Sequence, residues 1–522
     1  MSQATKELLK KHINKIKSIK DLDTLKRTLS KKYGIEILSN AEILEEYKQQ
    51  LKNQEILKQP VLEKILKKRA IRTLSGIAPV AVLTKSYPCP GNCAYCPNEK
   101  DVPVSYLSNE PAVMRAIRCN YHPYRQTQDR LRALEINGHE PNKIELIVMG
   151  GTWSFLPLKY RYWYIANCFK AANDFKKKNQ SLKANTSLKD LKTILKKEQK
   201  RNEKTKYQII GLTLETRPDY INEEELILMR EMGCTRVEMG VQAISDKILD
   251  LNRRGHGVKE IVVATKILKN YGFKVTYHFM PALPGSSPAK DFKMFEKMFS
   301  KPDFQPDQIK FYPTVVVKGS LLYRWWKQGK YKPYSDKQLK DLIIKCKNIV
   351  PKYVRIIRLI RDIPGESIEA GNKITNLRQI MQEKGVKCDC IRCREARDKA
   401  LPKKLIEETI IYKASEGTEY FISLTDQDKE ALYGFLRLRI DKNSPIAKAI
   451  IRELHVYGQL VPVGTEKKIQ HSGLGKQLIK QAEKIAKEYK AKQIAVISGV
   501  GVRGYYRKVG YKLKDTYMVK NI

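Results

Sequence analysis

Within "SYPCPGNCAYCPNE", residues 86–99, lie Cys89, Cys93 and Cys96. Deprotonated, they form a soft donor set for iron or zinc, yet the C-x3-C-x2-C spacing supplies one ligand fewer than a four-cysteine ferredoxin cluster or a closed zinc site requires. One coordination position stays open, and an open iron in a cubane can hold a small molecule directly. A second triplet, Cys388, Cys390 and Cys393 in "CDCIRC", also lacks an obvious fourth ligand; Asp389 is adjacent, and a distant His or Cys is equally available. Structural zinc suits this place, because a metal fastens a short junction that has little core of its own. The third constellation is Gln470-His471-Ser472-Gly473-Leu474-Gly475 with Lys476, where a polar loop opens an amphipathic helix. Glycines at such a start let backbone N–H groups approach a pyrophosphate, whose negative charge the helix dipole favours. The other cysteines, Cys119, Cys168, Cys234 and Cys346, are scattered and read as small core residues.

These groups need rigid elements to hold them. A chain of 522 residues exceeds the ~250–300 that one hydrophobic core usually serves, so two or three domains are expected. Residues 1–80 carry 18 Lys/Arg against 9 Asp/Glu with apolar residues at helical spacing, which predicts a basic helical domain. From "IAPVAVL" onward, "KIELIVMGG", "QIIGLTLE", "TRVEMGVQA", "KVTYHFMP", "QIKFYPTVVV" and "YVRIIRLI" alternate with amphipathic segments, which predicts repeated βα units and a parallel sheet or barrel. Residues 170–206, with 13 Lys/Arg and 4 Asp/Glu, read as a basic insertion or mobile loop. Beyond the second triplet, closely spaced strands and one long helix predict a separate α+β domain. The formal net charge of +44 makes a polyanion the expected partner, with nucleic acid ahead of a merely solvated basic face. Apolar runs fall well short of the ~20 residues of a membrane helix, so no membrane association and a cytoplasmic location are expected.

The first triplet, with Tyr95 before its last cysteine and the pair Gly150-Gly151 ending the next strand, resembles the radical S-adenosylmethionine (SAM) superfamily. That resemblance implies a [4Fe-4S] cluster on Cys89, Cys93 and Cys96, with SAM completing the fourth iron and the glycine pair meeting its amino group. The Gly473–Gly475 loop, followed by "QIAVISGV" and "GYYRKVGYKL", is similar to the GNAT acetyltransferases. It implies acetyl-CoA, with the pyrophosphate on Gln470, Gly473, Leu474, Gly475 and Lys476. Backbone groups of Glu453, Leu454, His455 and Val456 would meet the pantetheine arm. Tyr506 would protonate the departing thiolate, and Tyr505 remains an open alternative.

The two signatures together, with "ETRPDYI", "HFMPALPG", "CDCIRCRE" and "RELHVYG", resemble the family of the catalytic third subunit of Elongator, in an archaeal stand-alone form able to act alone. The resemblance implies an α/β chain: a basic helical domain (1–75), a partial (β/α)6 radical SAM barrel (76–370), a zinc-bearing linker (371–400) and a GNAT α+β domain (401–522). It further implies that the anticodon arm of a tRNA binds across the basic faces and its wobble uridine enters a cleft between the catalytic domains. The deoxyadenosyl radical would take hydrogen from the acetyl methyl group, carbon would join carbon 5 of the uracil, and thioester hydrolysis would leave a carboxymethyl group. Lys143 is similar to a lysine the family places near acetyl-CoA, and Arg72 and Lys85 are candidates for phosphate contact. Many members have a longer gap between the first two cysteines; the difference alters loop shape rather than chemistry. The alternative class is a protein lysine acetyltransferase with a structural cluster.

Overall fold

Seven short runs with buried β-branched and aliphatic residues become seven parallel strands, hydrogen-bonded in chain order. The computed structural model describes residues 3–67, 76–177, 179–374, 376–397, 399–457 and 473–522. The strands are β1 (Ala78–Leu83), β2 (Lys143–Met149), β3 (Gln208–Thr216), β4 (Arg236–Gln242), β5 (Lys274–Phe279), β6 (Gln308–Phe311) and β7 (Arg355–Arg358). Helices return the chain between them and cover the outer face of the sheet, while its inner face lines a lumen. The six βα units expected for the barrel are present, and β7, parallel to β6, extends them.

Residues 170–206 are in part helical rather than one mobile loop. Their first part completes the helix Leu158–Asn173, and Leu188–Asn202 is a second helix, N-capped by Ser187, that buries Leu191 and Leu195 against the first. The lysines occupy the outer face of a packed hairpin.

The N-terminal helices Gln3–Lys11, Ile19–Tyr33, Asn40–Lys52 and Pro60–Leu66 enclose their own core of Leu8, Leu22, Leu29, Ile43, Tyr47 and Leu62. Ser18 and Ser39 close capping boxes with Asp21 and Glu42. Arg72, a proposed phosphate contact, lies outside the described residues. Among the described residues no helix is long and apolar enough to cross a membrane.

The C-terminal sheet holds β8 (Ile406–Ala414), β9 (Gly417–Thr425), β10 (Leu432–Ile440), β11 (Ala449–Val456), β12 (Gln493–Val496), β13 (Lys512–Lys514) and β14 (Tyr517–Asn521) in the order β13-β14-β12-β11-β10-β9-β8. Only β11 and β12 pair in parallel, and only over Ala449–Ile451; beyond that the two strands part. On its other edge β11 carries a bulge: Arg437 faces Glu453 and Leu438 faces Ile451, leaving Arg452 as the extra residue.

This sheet closes the N-terminal end of the barrel. Arg452 donates to Asp307, just before β6, at 2.9 Å, to Glu419 at 2.9 Å and to the Phe273 carbonyl at 2.6 Å. Arg437, Arg439 and Lys269 join the same cluster, with Glu453 and Asp441 as further anions. Its central members, Lys269, Asp307, Glu419 and the three arginines, are at most 1% exposed. Burial works against the charge of Asp307, but Arg452, Lys269 and Arg437 hold its carboxyl far below the usual range. A second contact runs edge-on: the turn Val500–Val502 packs on the start of β3 so closely that a Cβ on Gly499 would lie 1.9 Å from the Ile210 carbonyl oxygen. The linker clasps both sheets, Ile391 N–H donating to Val354 and Ala396 N–H to Leu432, each at 2.9 Å.

Two outcomes follow for stability. Gly499→Ala is expected to cost about 1–3 kcal/mol in denaturant unfolding, whereas Gly504→Ala, with nothing within 4 Å, costs nothing. Arg452→Met leaves buried carboxylates uncompensated and is expected to cost about 3–5 kcal/mol near neutral pH. Because the pKa of Asp307 is depressed on folding, the stability it contributes is present above the ordinary carboxylate pKa of ~4 and is lost as pH falls below it. The variant's unfolding free energy should therefore change less than the wild type's between pH 7 and pH 3.

Candidate active site

The cysteine loop leaves the C-terminal end of β1, where parallel sheets place their ligands. It is strapped down on two sides: Ala94 N–H donates to the Asn252 carbonyl at 3.0 Å, and the Ala94 carbonyl accepts from Leu322 N–H at 2.7 Å. A Cβ on Gly91 would meet Arg217 Nη1 at 2.1 Å, so glycine lets the loop lie against that guanidinium. Cys93 is buried, and its thiol is pushed down to about 4, first by a hydrogen bond from Cys96 and further by Arg254, whose Nη1 lies 3.3 Å from Sγ. A loop that favours thiolate fits iron, and the fixed guanidinium of Arg254 offsets the net negative charge that three thiolates give a cluster. Gly150 and Gly151 both have left-handed φ, +132° and +100°, and a Cβ on Gly150 would collide with Thr84 Oγ1 at 2.0 Å.

Cys89, Cys93, Cys96 and Gly151 line one cavity of about 770 Å³ that runs down the barrel. Near its far end stand Glu145, Arg236, Lys274, Gln308 and Arg355, from or beside the N-terminal ends of five strands. Strand alternation puts Lys143 on the same face of β2 as Glu145, Ile147 and Met149, which line the cavity; burial lowers its ammonium pKa. Midway, Lys310 pairs with Glu238, and His278 Nε2 lies 3.0 Å from the same carboxylate. The lining ends on the other domain, at Phe435, Glu453, His455 and Tyr457. A smaller cavity of about 90 Å³ opens where β11 and β12 part, lined by Glu453, Leu454, His455, Val496 and Tyr506 among others.

Three models of protein families match: "Radical SAM superfamily" over residues 84–296, "Radical_SAM C-terminal domain" over 306–385 and "Acetyltransferase (GNAT) domain" over 381–521. The chain is 42% identical over 518 residues to the tRNA uridine(34) acetyltransferase of Methanocaldococcus infernus, covering 94% of this chain and 92% of that protein. It is 39% identical to Elongator complex protein 3 of Homo sapiens, covering 88% of this chain and 87% of that protein. The chain belongs to the family of tRNA uridine(34) acetyltransferases and Elongator complex protein 3. A solved member, the Methanocaldococcus infernus Elp3 with N-terminus deletion (1-46), superposes with a TM-score of 0.72 at 39% identity, covering 86% of this chain and 99% of that one.

Of the expected residues, Cys89, Cys93, Cys96 and Gly151 line the large cavity, Leu454 and Tyr506 the small one, and Glu453 and His455 both. Gly473, with φ +85°, caps the helix Leu474–Glu488; Lys476 lies in its first turn, and Gln470, His471 and Ser472 lie outside the described residues. A Cβ on Gly475 would touch Tyr505 Oη at 2.6 Å, so Tyr505 stands over that helix start, while Tyr506 is buried on the small cavity. Burial raises both phenol pKa values, which keeps them protonated near neutrality. Burial opposes the charge of Glu453, yet Lys274 and Arg437 hold its carboxyl down to about 2. Lys85 is exposed, its Nζ 5.2 Å from the Tyr160 ring centroid. The sulfurs of Cys388, Cys390 and Cys393 lie within 4.8 Å of one another; hydrogen bonds from Cys388 and then Cys393 hold Cys390 well below an ordinary thiol. Cys119, Cys168, Cys234 and Cys346 are all buried in the core. Sequence reasoning missed Arg254, Lys274 and Asp307. Each is one charged residue in a run without a motif, and only the fold shows what it faces.

Proposed function

We propose that this protein places a carboxymethyl group on carbon 5 of the wobble uridine, position 34, of transfer RNA, with acetyl-CoA as the carbon donor. One observation carries this reading: a single cavity is lined at one end by Cys89, Cys93 and Cys96 and at the other by Glu453 and His455 of the acetyltransferase fold. A plain acetyltransferase has no use for such a lumen. In the net change a methyl C–H bond of the acetyl group and the uracil C5–H bond break and a carbon–carbon bond forms between the two carbons. SAM is the two-electron oxidant, its C–S bond breaking to leave methionine and 5′-deoxyadenosine that carries the methyl hydrogen. The C5 hydrogen leaves as a proton, and water splits the thioester to free CoA. Cys89, Cys93 and Cys96 would hold the cluster and Gly150 and Gly151 would meet SAM, and the pair would supply hydrogen abstraction from an unactivated carbon.

The protein's own side chains do the remaining work. Gly473 and Gly475 open the helix start to the pyrophosphate of CoA. Backbone groups of Glu453 to Val456, left free of β12 where the strands part, meet the pantetheine arm. Tyr506 holds a proton beside the thioester sulfur and gives it to the departing thiolate. The barrel walls exclude water from the reacting carbons, and the basic surface with Lys85 holds the anticodon arm. Zinc on Cys388, Cys390 and Cys393 secures the clasp between the sheets. The chain acts alone, in the cytoplasm.

The decisive measurement is mass spectrometry of nucleosides from tRNA incubated anoxically with reduced protein, SAM and acetyl-CoA. A uridine heavier by one carboxymethyl group is expected from the wild type and none from Cys93→Ser; unmodified uridine in the complete mixture would overturn the reading. Tyr506→Phe should slow product formation by about a hundredfold or more, with Tyr505→Phe far milder. Metal analysis should find about one zinc per chain, lost in Cys390→Ser and kept in Cys346→Ser, whose parent thiol is as deeply buried.

A further inference from the structure

The two cavities meet at a partition of Ile77, Glu145, Lys274, Glu453 and His455, each of which faces both. Most of its polar side chains are already committed. Glu145 receives Arg236 at 2.8 Å, and Glu453 receives Arg437 Nε at 2.9 Å. His455 carries no charge near neutrality, since burial pushes its pKa down to about 4. Lys274 differs. An ammonium offers three donors, and its ion pair among the described residues, to Glu453, spans 3.6 Å, beyond hydrogen-bond length. The other cation on the small cavity, Arg452, commits both terminal nitrogens to Asp307, Glu419 and the Phe273 carbonyl, which leaves its Nε alone without a partner. Lys274, with its ion pair at 3.6 Å, is thus the cation of the partition itself that keeps its donors available where the acyl cavity opens onto the barrel, whereas Arg452 lies off the lumen.

We infer that Lys274 is the acyl-binding residue, donating to the carbonyl oxygen of the thioester in the small cavity and so directing the acetyl methyl group through the partition into the barrel. The inference rests on the acetyl-CoA reading above. The cavity, about 90 Å³, matches about three water volumes, enough for the thioester end of the molecule and not for its pantetheine arm. A carbonyl carbon is planar with three substituents. With sulfur toward Tyr506 and oxygen toward Lys274, the remaining direction leads into the lumen. The pair with Glu453 keeps Lys274 at the partition when no acyl group is present and leaves Glu453 anchored by Arg437 when one arrives.

Calorimetric binding to the full-length protein tests this with two stable ligands: S-acetonyl-CoA, which keeps a carbonyl oxygen, and S-propyl-CoA, which lacks it. The wild type is expected to prefer the ketone by about tenfold or more, as a charge-assisted hydrogen bond implies. Lys274→Met should abolish that preference while binding free CoA within about twofold of wild type, and Lys274→Arg should restore part of it. A ketone preference that survives Lys274→Met overturns the inference alone, as does an equal loss of affinity for CoA, which would mark general damage to the pocket. Failure of CoA to bind even the wild type would overturn the proposed function and this inference with it.

Discussion

The buried ion cluster between the barrel and the acetyltransferase sheet is the contact on which the catalytic arrangement depends. Placing Asp307 and Glu419 out of water is costly, and their attraction to Arg452, Arg437, Arg439 and Lys269 compensates only when every partner is in position. Such a cluster adds little net stability over a well-packed apolar contact. What it adds is intolerance: a sheet rotated or shifted on the barrel floor would leave several charges buried and unpaired. The bulge at Arg452 is the backbone feature that makes this registry available, because the extra residue lets a strand otherwise committed to its own sheet reach Asp307. The same strand carries Glu453 and His455 onto the end of the lumen, so one local irregularity fixes both the domain contact and the acyl end of the site.

Charge on the outside follows from charge on the inside. Part of the acidic complement sits in internal pairs, among them Glu225 with Arg161, Glu238 with Lys310, and the partly buried Glu145 with Arg236. These carboxylates do little to offset the lysines of the N-terminal helices or of the hairpin around Leu188–Asn202. The net charge of +44 therefore falls mainly on solvent-facing surface. The tRNA of the proposed reaction would meet it there, and screening by salt would weaken that contact far more than the internal pairs.

Legibility in the sequence tracks locality. The seven barrel strands could be read because each is a short apolar run between helical segments, and the metal and phosphate loops because their residues are close in sequence. Of the two readings of residues 170–206, basic insertion or mobile loop, the loop fails over Leu188–Asn202, where lysines outnumber the apolar residues that matter. Leu188, Leu191 and Leu195, at helical spacing, were sufficient evidence for an amphipathic helix despite the charge around them. The parts that stayed hidden are long-range. Arg254 reaches Cys93 across 161 positions and Arg452 reaches Asp307 across 145, and nothing in either neighbourhood marks the partner.

Barrel geometry sets a directional problem that the fold solves. The cysteine loop must sit at the C-terminal ends of the strands, where short loops can converge. The acetyltransferase sheet docks at the N-terminal ends, where Asp307, Tyr353 and the start of β3 receive it. On the proposed reading the reacting groups would therefore approach from opposite mouths of one lumen, whose lining is completed only by both halves together. A separate acyl carrier would expose its thioester to water on the way. Fusing the carrier to the barrel floor through a rigid ionic contact shortens that path to the width of a five-residue partition, which is why the charges at the interface have to be buried rather than merely paired at the surface.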